Sequence, residues 1–222
     1  WLISLLKFEL SSRQLYIAGG CSLLLAVYSL TLPHIPVVKK SITSGLASKL
    51  GLDALVLFKQ PVMVVFFVFS MLLGAVLQIT NTFGSPFLHD FAREPAYQDS
   101  LIVQYPSLLL SISQMAEVCF ILAIPFVLKR YGIKTVMLLS MLAWTLRFGF
   151  FALGDPSAIG LLFLILSMIV YGCAFDFFNI SGSIFIEKTV DTRMRASAQG
   201  LFMTKGHGVG AYFGAILSGR GV

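Results

Sequence analysis

Apolar runs of about 20 residues, the length a helix needs to cross the hydrocarbon core of a bilayer, recur along this chain with short polar clusters between them. The first complete run, "QLYIAGGCSLLLAVYSLTLPHI" at residues 14 to 35, is closed by Pro33 and Pro36. Further runs cover 61 to 83, 104 to 128, 134 to 153, 157 to 186 and 196 to 218, and an apolar stub at 1 to 6 reads as the tail of one more span. The pattern predicts an all-α fold, a polytopic membrane helix bundle. Before the second run, "LASKLGLDALVLF" at 46 to 58 repeats its apolar residues near a helical period, with Lys49 and Asp53 between them. It reads either as an amphipathic helix along the membrane surface or as a loop segment packed on the inner helix ends.

Lysine and arginine are unevenly shared among the loops. Segment 37 to 60 carries Lys39, Lys40, Lys49 and Lys59; the turn near 130 carries Lys129, Arg130 and Lys134; the turn near 190 carries Lys188, Arg193 and Arg195. Basic loops remain on the cytoplasmic side, which assigns these three inside. The loops between them, 85 to 100 with Asp90, Glu94 and Asp99 against Arg93, and "GDPS" at 154 to 157, are assigned outside. Lys7 and Arg13, on an outer loop, depart from the alternation.

Composition agrees with a membrane class: 57% of residues are hydrophobic and 12% charged, whereas soluble domains carry about 25% charged residues. The net charge of +6 points to lipid headgroups and not to nucleic acid, because the basic residues collect at span ends instead of along one face with interleaved aromatics. Cys21, Cys119 and Cys173 stand singly in apolar stretches, without metal or disulfide spacing, and read as packing residues. No secretory leader is recognisable, and "WLISLLKFEL" reads as the middle of a longer gene.

Polar side chains inside the runs change the picture most. A central aspartate costs roughly 2.5 to 3.5 kcal/mol on insertion, so such groups face a bundle interior or a wet cavity. Gln78 and Asn81 lie three apart on one helical face beside Thr82, and Gln114 and Glu117 repeat that spacing. In "YGCAFDFFNISGS" at 171 to 183, Tyr171, Phe175, Asp176 and Asn179 fall on one aromatic and acidic face. Thr82, Ser111 and Ser113 are expected to make contacts between helices. Glu117 and Asp176 imply work, since an uncharged amide makes a structural contact without burying a carboxylate. Gln78, Asn81 and Gln114 fit either role. Amides with an aromatic face suit a neutral, planar, multiply hydrogen-bonding solute, and composition leaves a nucleoside and a sugar equally open.

"GAVLQITNTFGSPFLHDF", "SISQMAEVCFILAIPF", "RYGIKTVM" and "LSMIVYGCAFDFFNISGSIFIEK…RASAQG" resemble the bacterial nucleoside permeases of the nucleoside:proton symporter family, within the major facilitator superfamily. The resemblance runs along essentially the whole chain. It implies twelve helices in two halves, with this sequence reaching from the end of the fifth span to the eleventh. Residues 1–36 would then end the N-terminal half, 37–60 form the cytoplasmic central loop, and 61–222 make up the C-terminal half, truncated before its last span. Family contacts with a nucleoside fall on Gln78, Asn81, Gln114, Glu117, Tyr171 and Phe175, with Asp176 matching an acidic position beside them. The implied partners are a purine or pyrimidine nucleoside, protons and the lipid bilayer. The implied protein is a monomeric, multi-pass carrier of the bacterial inner membrane, without metal or cofactor.

The resemblance implies import by alternating access, in which two halves rock about a midplane site. Glu117 or Asp176, buried in apolar spans, would carry the proton. A sugar permease of the same superfamily is one alternative. A membrane-embedded enzyme using Asp176 and His207 is another, weakened by the absence of any nucleophile or metal-ligand motif. Lys205 and His207, inside the last run, are departures from the family pattern: Lys205 reads as reaching the inner interface and His207 as packed or interfacial. Gly206, Gly210, Gly214 and Ser218, four residues apart, read as a small-residue ridge for close helix contact.

Overall fold

A computed structural model describes residues 13–33 and 52–219, in two units divided between Ser44 and Gly45. The first unit shows one helix, α1 (Arg13–Ser29), within the first apolar run. Its chain ends with the Ser29 and Thr31 hydroxyls donating back to the carbonyls of Ala26 and Tyr28.

The second unit opens with a 3-10 helix, Leu52–Lys59, followed by α2 (Pro61–Asp90), α3 (Pro106–Ala152), α4 (Ala158–Thr189), α5 (Arg195–Met203), a π-helical segment Thr204–Gly210, and α6 (Ala211–Gly219). Among the described residues every regular element is helical. Pro61 and Pro106 occupy first-turn positions, where a missing N–H leaves no bond unmade. Ser157 caps α4 by accepting from the Gly160 amide at 3.2 Å. Among the described residues, the helical stretches Pro61–Arg93, Pro106–Ala152 and Ala158–Thr189 are long and apolar enough to cross a membrane.

At 47 residues, α3 would run about 70 Å if straight, against about 30 Å of hydrocarbon. It breaks at Gly132, whose φ of 75° and ψ of 168° are open essentially to glycine alone. The arms on either side fold back on each other: Ile124 from the first and Val136 from the second pack with Phe177 of α4 in one cluster. The runs at 104 to 128 and 134 to 153 are therefore two passes joined by the basic turn that the charge pattern predicts.

The helices differ from the expected runs at two places. Helix α2 continues through Pro86 to Asp90 instead of stopping near 83, because Leu88 is fully buried with Leu109, Leu164 and Met168 and anchors the last turns. The final run is not uniformly α-helical: its middle is the π segment, which contains Lys205 and His207. The side chains of those two residues lie outside the described ones, as does the apolar stub at 1 to 6. Segment 46 to 58 is described from Leu52 onward. There it packs: Ala54 and Leu57 are buried with Met63, Phe67, Ile186 and Phe202.

The loops sort by charge onto opposite ends of the second unit. At one end, the Ala54 and Leu57 cluster joins the start of α2 to the end of α4 and to α5, and Lys129, Gly132 and Lys188 share a groove. At the other, Phe87, Ile102 and Phe151 close over Leu88 and Leu164, beside the acidic loop that follows Asp90. Close helix contact uses glycine. A Cβ on Gly214 of α6 would collide with the Ala75 backbone of α2, so that member of the expected ridge does pack.

Side chains among the described residues bond across helices. Ser140 donates to the Ala174 carbonyl at 2.6 Å, Ser167 to that of Arg147 at 2.9 Å, and Gln199 to that of Ser183 at 2.8 Å. The hydroxyls expected in this role behave otherwise. Ser111 and Ser113 donate to Leu108 and Leu110 one turn back on their own helix, and Thr82 accepts from Gln78. A short hydroxyl reaches its own preceding carbonyl more easily than a neighbour's. Cys173 is half-buried between two clusters, but Cys21 and Cys119 lie on exposed helix faces, contrary to the packing expectation.

Candidate functional site

The site is set by where α4 crosses the first arm of α3. Gly172 faces the Ala116 and Glu117 backbone so closely that a Cβ there would lie 2.6 Å from the Ala116 carbonyl carbon. Backbone meets backbone at this crossing, and Tyr171 is brought beside Gln114. The second arm of α3 flanks α4 from the other side, and α2 completes the wall.

These elements enclose an open cavity of about 530 Å³ whose lining includes Thr80, Asn81, Ser113, Gln114, Arg147 and Tyr171. Its volume lies in the range of small-molecule sites. Gln114 Nε2 donates to Glu117 Oε1 at 3.4 Å, a long bond. The Tyr171 ring stacks on Phe175 with centroids 5.7 Å apart and planes 15° from parallel, and meets Trp144 edge-on at 5.9 Å. Phe175 and Asn179 turn toward a second, much smaller cavity of about 30 Å³ with Trp144 and Phe178, room for one water. Asn179 Nδ2 is already donated to the Phe175 carbonyl.

Of the residues the sequence singles out, Asn81, Gln114 and Tyr171 share the larger cavity; Glu117 is joined to it through Gln114, and Phe175 through its stack on Tyr171. Gln78 is half-buried one turn away, its amide given to Thr82 at 3.1 Å, and is not in the cavity lining. Asp176 is 5% exposed and is not in the cavity lining, with Oδ2 lacking a hydrogen-bond partner. It lies within electrostatic reach of Glu117.

Sequence reasoning misses Arg147. This residue is 3% exposed, and its guanidinium carbon stands 3.9 Å from the Tyr171 ring centroid and 5.6 Å from that of Trp144. The signal is present in "LAWTLRFGF" at 142 to 150: a charge inside an apolar run is as costly there as at Asp176, and flanking aromatics offer the faces a buried cation needs.

The amides can donate to and accept from a flat solute, the Tyr171 and Phe175 pair can cover its ring, and Glu117, bonded to Gln114, supplies charge at its edge. The described residues thus form a helical unit with an open, amide- and aromatic-lined cavity between helices long and apolar enough to cross a membrane. The chain belongs to the nucleoside H+ symporter family, whose sequence profile matches residues 1–222. It is 71% identical to the xanthosine permease of Escherichia coli K12 over its full 222 residues, which cover 53% of that protein. With the nucleoside permease NupG of the same organism it shares 56% identity over 220 residues, 99% of this chain and 53% of NupG. The crystal structure of a point mutant of the nucleoside transporter NupG superposes with a TM-score of 0.82 at 56% identity, over 99% of this chain and 55% of that one. The chain thus spans about half the length of the curated relatives it matches.

Proposed function

We propose that the protein containing this chain imports nucleosides by proton symport through alternating access, with residues 61–222 supplying one wall of the binding site and 37–60 the cytoplasmic connection to the other half. Asn81, Gln114 and Tyr171 lining one cavity is the observation that carries the reading. In it, Asn81, Gln114 and Glu117 hold the polar edges of the nucleoside, Tyr171 and Phe175 cover the ring, and Gln78 supports Asn81 from one turn away. Its setting is the bacterial inner membrane and its working unit a monomer. The activity in this reading is transport, which the nucleoside H+ symporter family and the permeases the chain resembles support.

Proton coupling falls to Glu117 and Asp176, which lie within electrostatic reach of each other inside apolar helices. A carboxylate there exchanges its proton as the cavity opens to one side and then the other. The test is uridine uptake into vesicles carrying the full-length protein. Glu117→Gln and Asp176→Asn are expected to abolish accumulation driven by a proton gradient, separately or together; accumulation undiminished in both overturns the assignment. In competition, adenosine and uridine displace each other and lactose displaces neither.

A further inference from the structure

Among the described side chains, Glu117, Arg147 and Asp176 are the charged groups deep within the membrane-crossing helices, and the cycle above employs only the acids. Arg147 is 3% exposed, its guanidinium is spread over the Tyr171 ring, and its Nη1 has no hydrogen-bond partner. Packing alone is served as well by an apolar side chain, without the cost of a buried charge. Ring contacts use the face of a guanidinium and leave its in-plane donors unspent. The titratable groups within reach of its charge are Tyr171 on α4 and Glu117 on the first arm of α3, and Asp176 on α4 lies within reach of Glu117. Glu117 is held only by the long bond from Gln114, and Gln114 lines the same cavity as Arg147.

We propose that Arg147 is a positioning residue that takes the Glu117 carboxylate when it leaves Gln114, freeing the Gln114 amide for the ligand. The exchange couples ligand to proton. A charged Glu117 is drawn to Arg147; once it takes a proton from solvent it has no charge for the arginine to hold and returns to Gln114. The inference rests on the nucleoside:proton reading.

The experiment uses the full-length protein in proteoliposomes, measuring uridine accumulation under an inward proton gradient and, separately, uridine exchange without a gradient. If the unmutated protein exchanges uridine but does not accumulate it, the symport reading fails whatever Arg147 does. With that control positive, Arg147→Gln is expected to lose accumulation by at least about tenfold while exchange remains within about threefold, and Arg147→Lys, which keeps the charge, to recover accumulation. Accumulation equal to the parent's, or a parallel loss of both activities that lysine does not relieve, overturns the proposal. A second measurement does not depend on the Gln variant folding: thermal unfolding of purified Arg147→Glu, Glu117→Arg and the double exchange. The double is expected to melt above either single variant, and a double no better than the sum of the singles also overturns the proposal.

Discussion

At Gly172 there is room for a hydrogen and nothing more. Adding a methyl group drives α4 off the Ala116–Glu117 backbone and pulls Tyr171 from Gln114. Gly172→Ala is therefore expected to destabilise the purified protein by about 1–3 kcal/mol and to weaken uridine binding, read by thermal unfolding and by titration. Gly200→Ala is the control, since open space surrounds that position and alanine is the better helix former by about 0.5–1 kcal/mol. The turn before α4 gives a pH test. The Asp155 carboxylate is bonded by Ser157, whose amide donates to Oδ1 at 2.6 Å. The Ser157 side chain and this amide together hold its pKa below the ordinary 3.8. A depressed carboxylate stabilises the fold above its unfolded pKa and loses that contribution as pH falls through the folded value. Asp155→Asn should thus lower the melting temperature at pH 7, and the difference should vanish on acidification below the ordinary aspartate range. Several site residues are legible one by one: polar Asn81 and Gln114 and aromatic Tyr171 stand out in apolar runs and do meet. Gln78 shares Asn81's face in sequence, yet its amide is consumed by Thr82, and only the packed side chains reveal this.

Helix ends and breaks are the features of these elements most clearly written in the chain. Proline at 61 and 106, serine at 157 and glycine at 132 mark starts and a reversal, because each acts on its own backbone whatever surrounds it. Gly132 carries the clearest consequence. Its backbone lies where a side chain costs about 1–3 kcal/mol, although nothing crowds the position. Gly132→Ala should lower stability by that amount in unfolding measurements while leaving the uridine affinity of the folded fraction unchanged, since the turn lies well away from Tyr171. Where an element runs on past the pattern, distant contacts are responsible: α2 passes Pro86 because Leu88 is gripped by Leu109, Leu164 and Met168. The 3-10 helix at Leu52–Lys59 was legible only as apolar periodicity, which a membrane surface and a helix end satisfy equally well.

Across the second unit, basic turns gather at one end and acidic loops at the other, which makes sidedness testable in the full-length protein. After replacement of the native cysteines, Asp99→Cys should react with a membrane-impermeant thiol reagent in intact cells. Lys129→Cys should react only after permeabilisation, and the reverse pattern would invert the topology. The sequence by itself determined the all-helical membrane class, the number and alternation of the runs in this unit, and the residue types at the cavity. Those follow from hydropathy, charge and backbone chemistry, which act locally and are present before any helix meets another. The tertiary structure alone decided that Tyr171 rather than Asp176 lines the cavity, that Asn179 and Ser113 are spent on their own helices, and that Arg147 reaches in from the second arm of α3. Such outcomes depend on which faces are in contact at the Gly172 crossing, a relation between distant segments that no single stretch of chain contains.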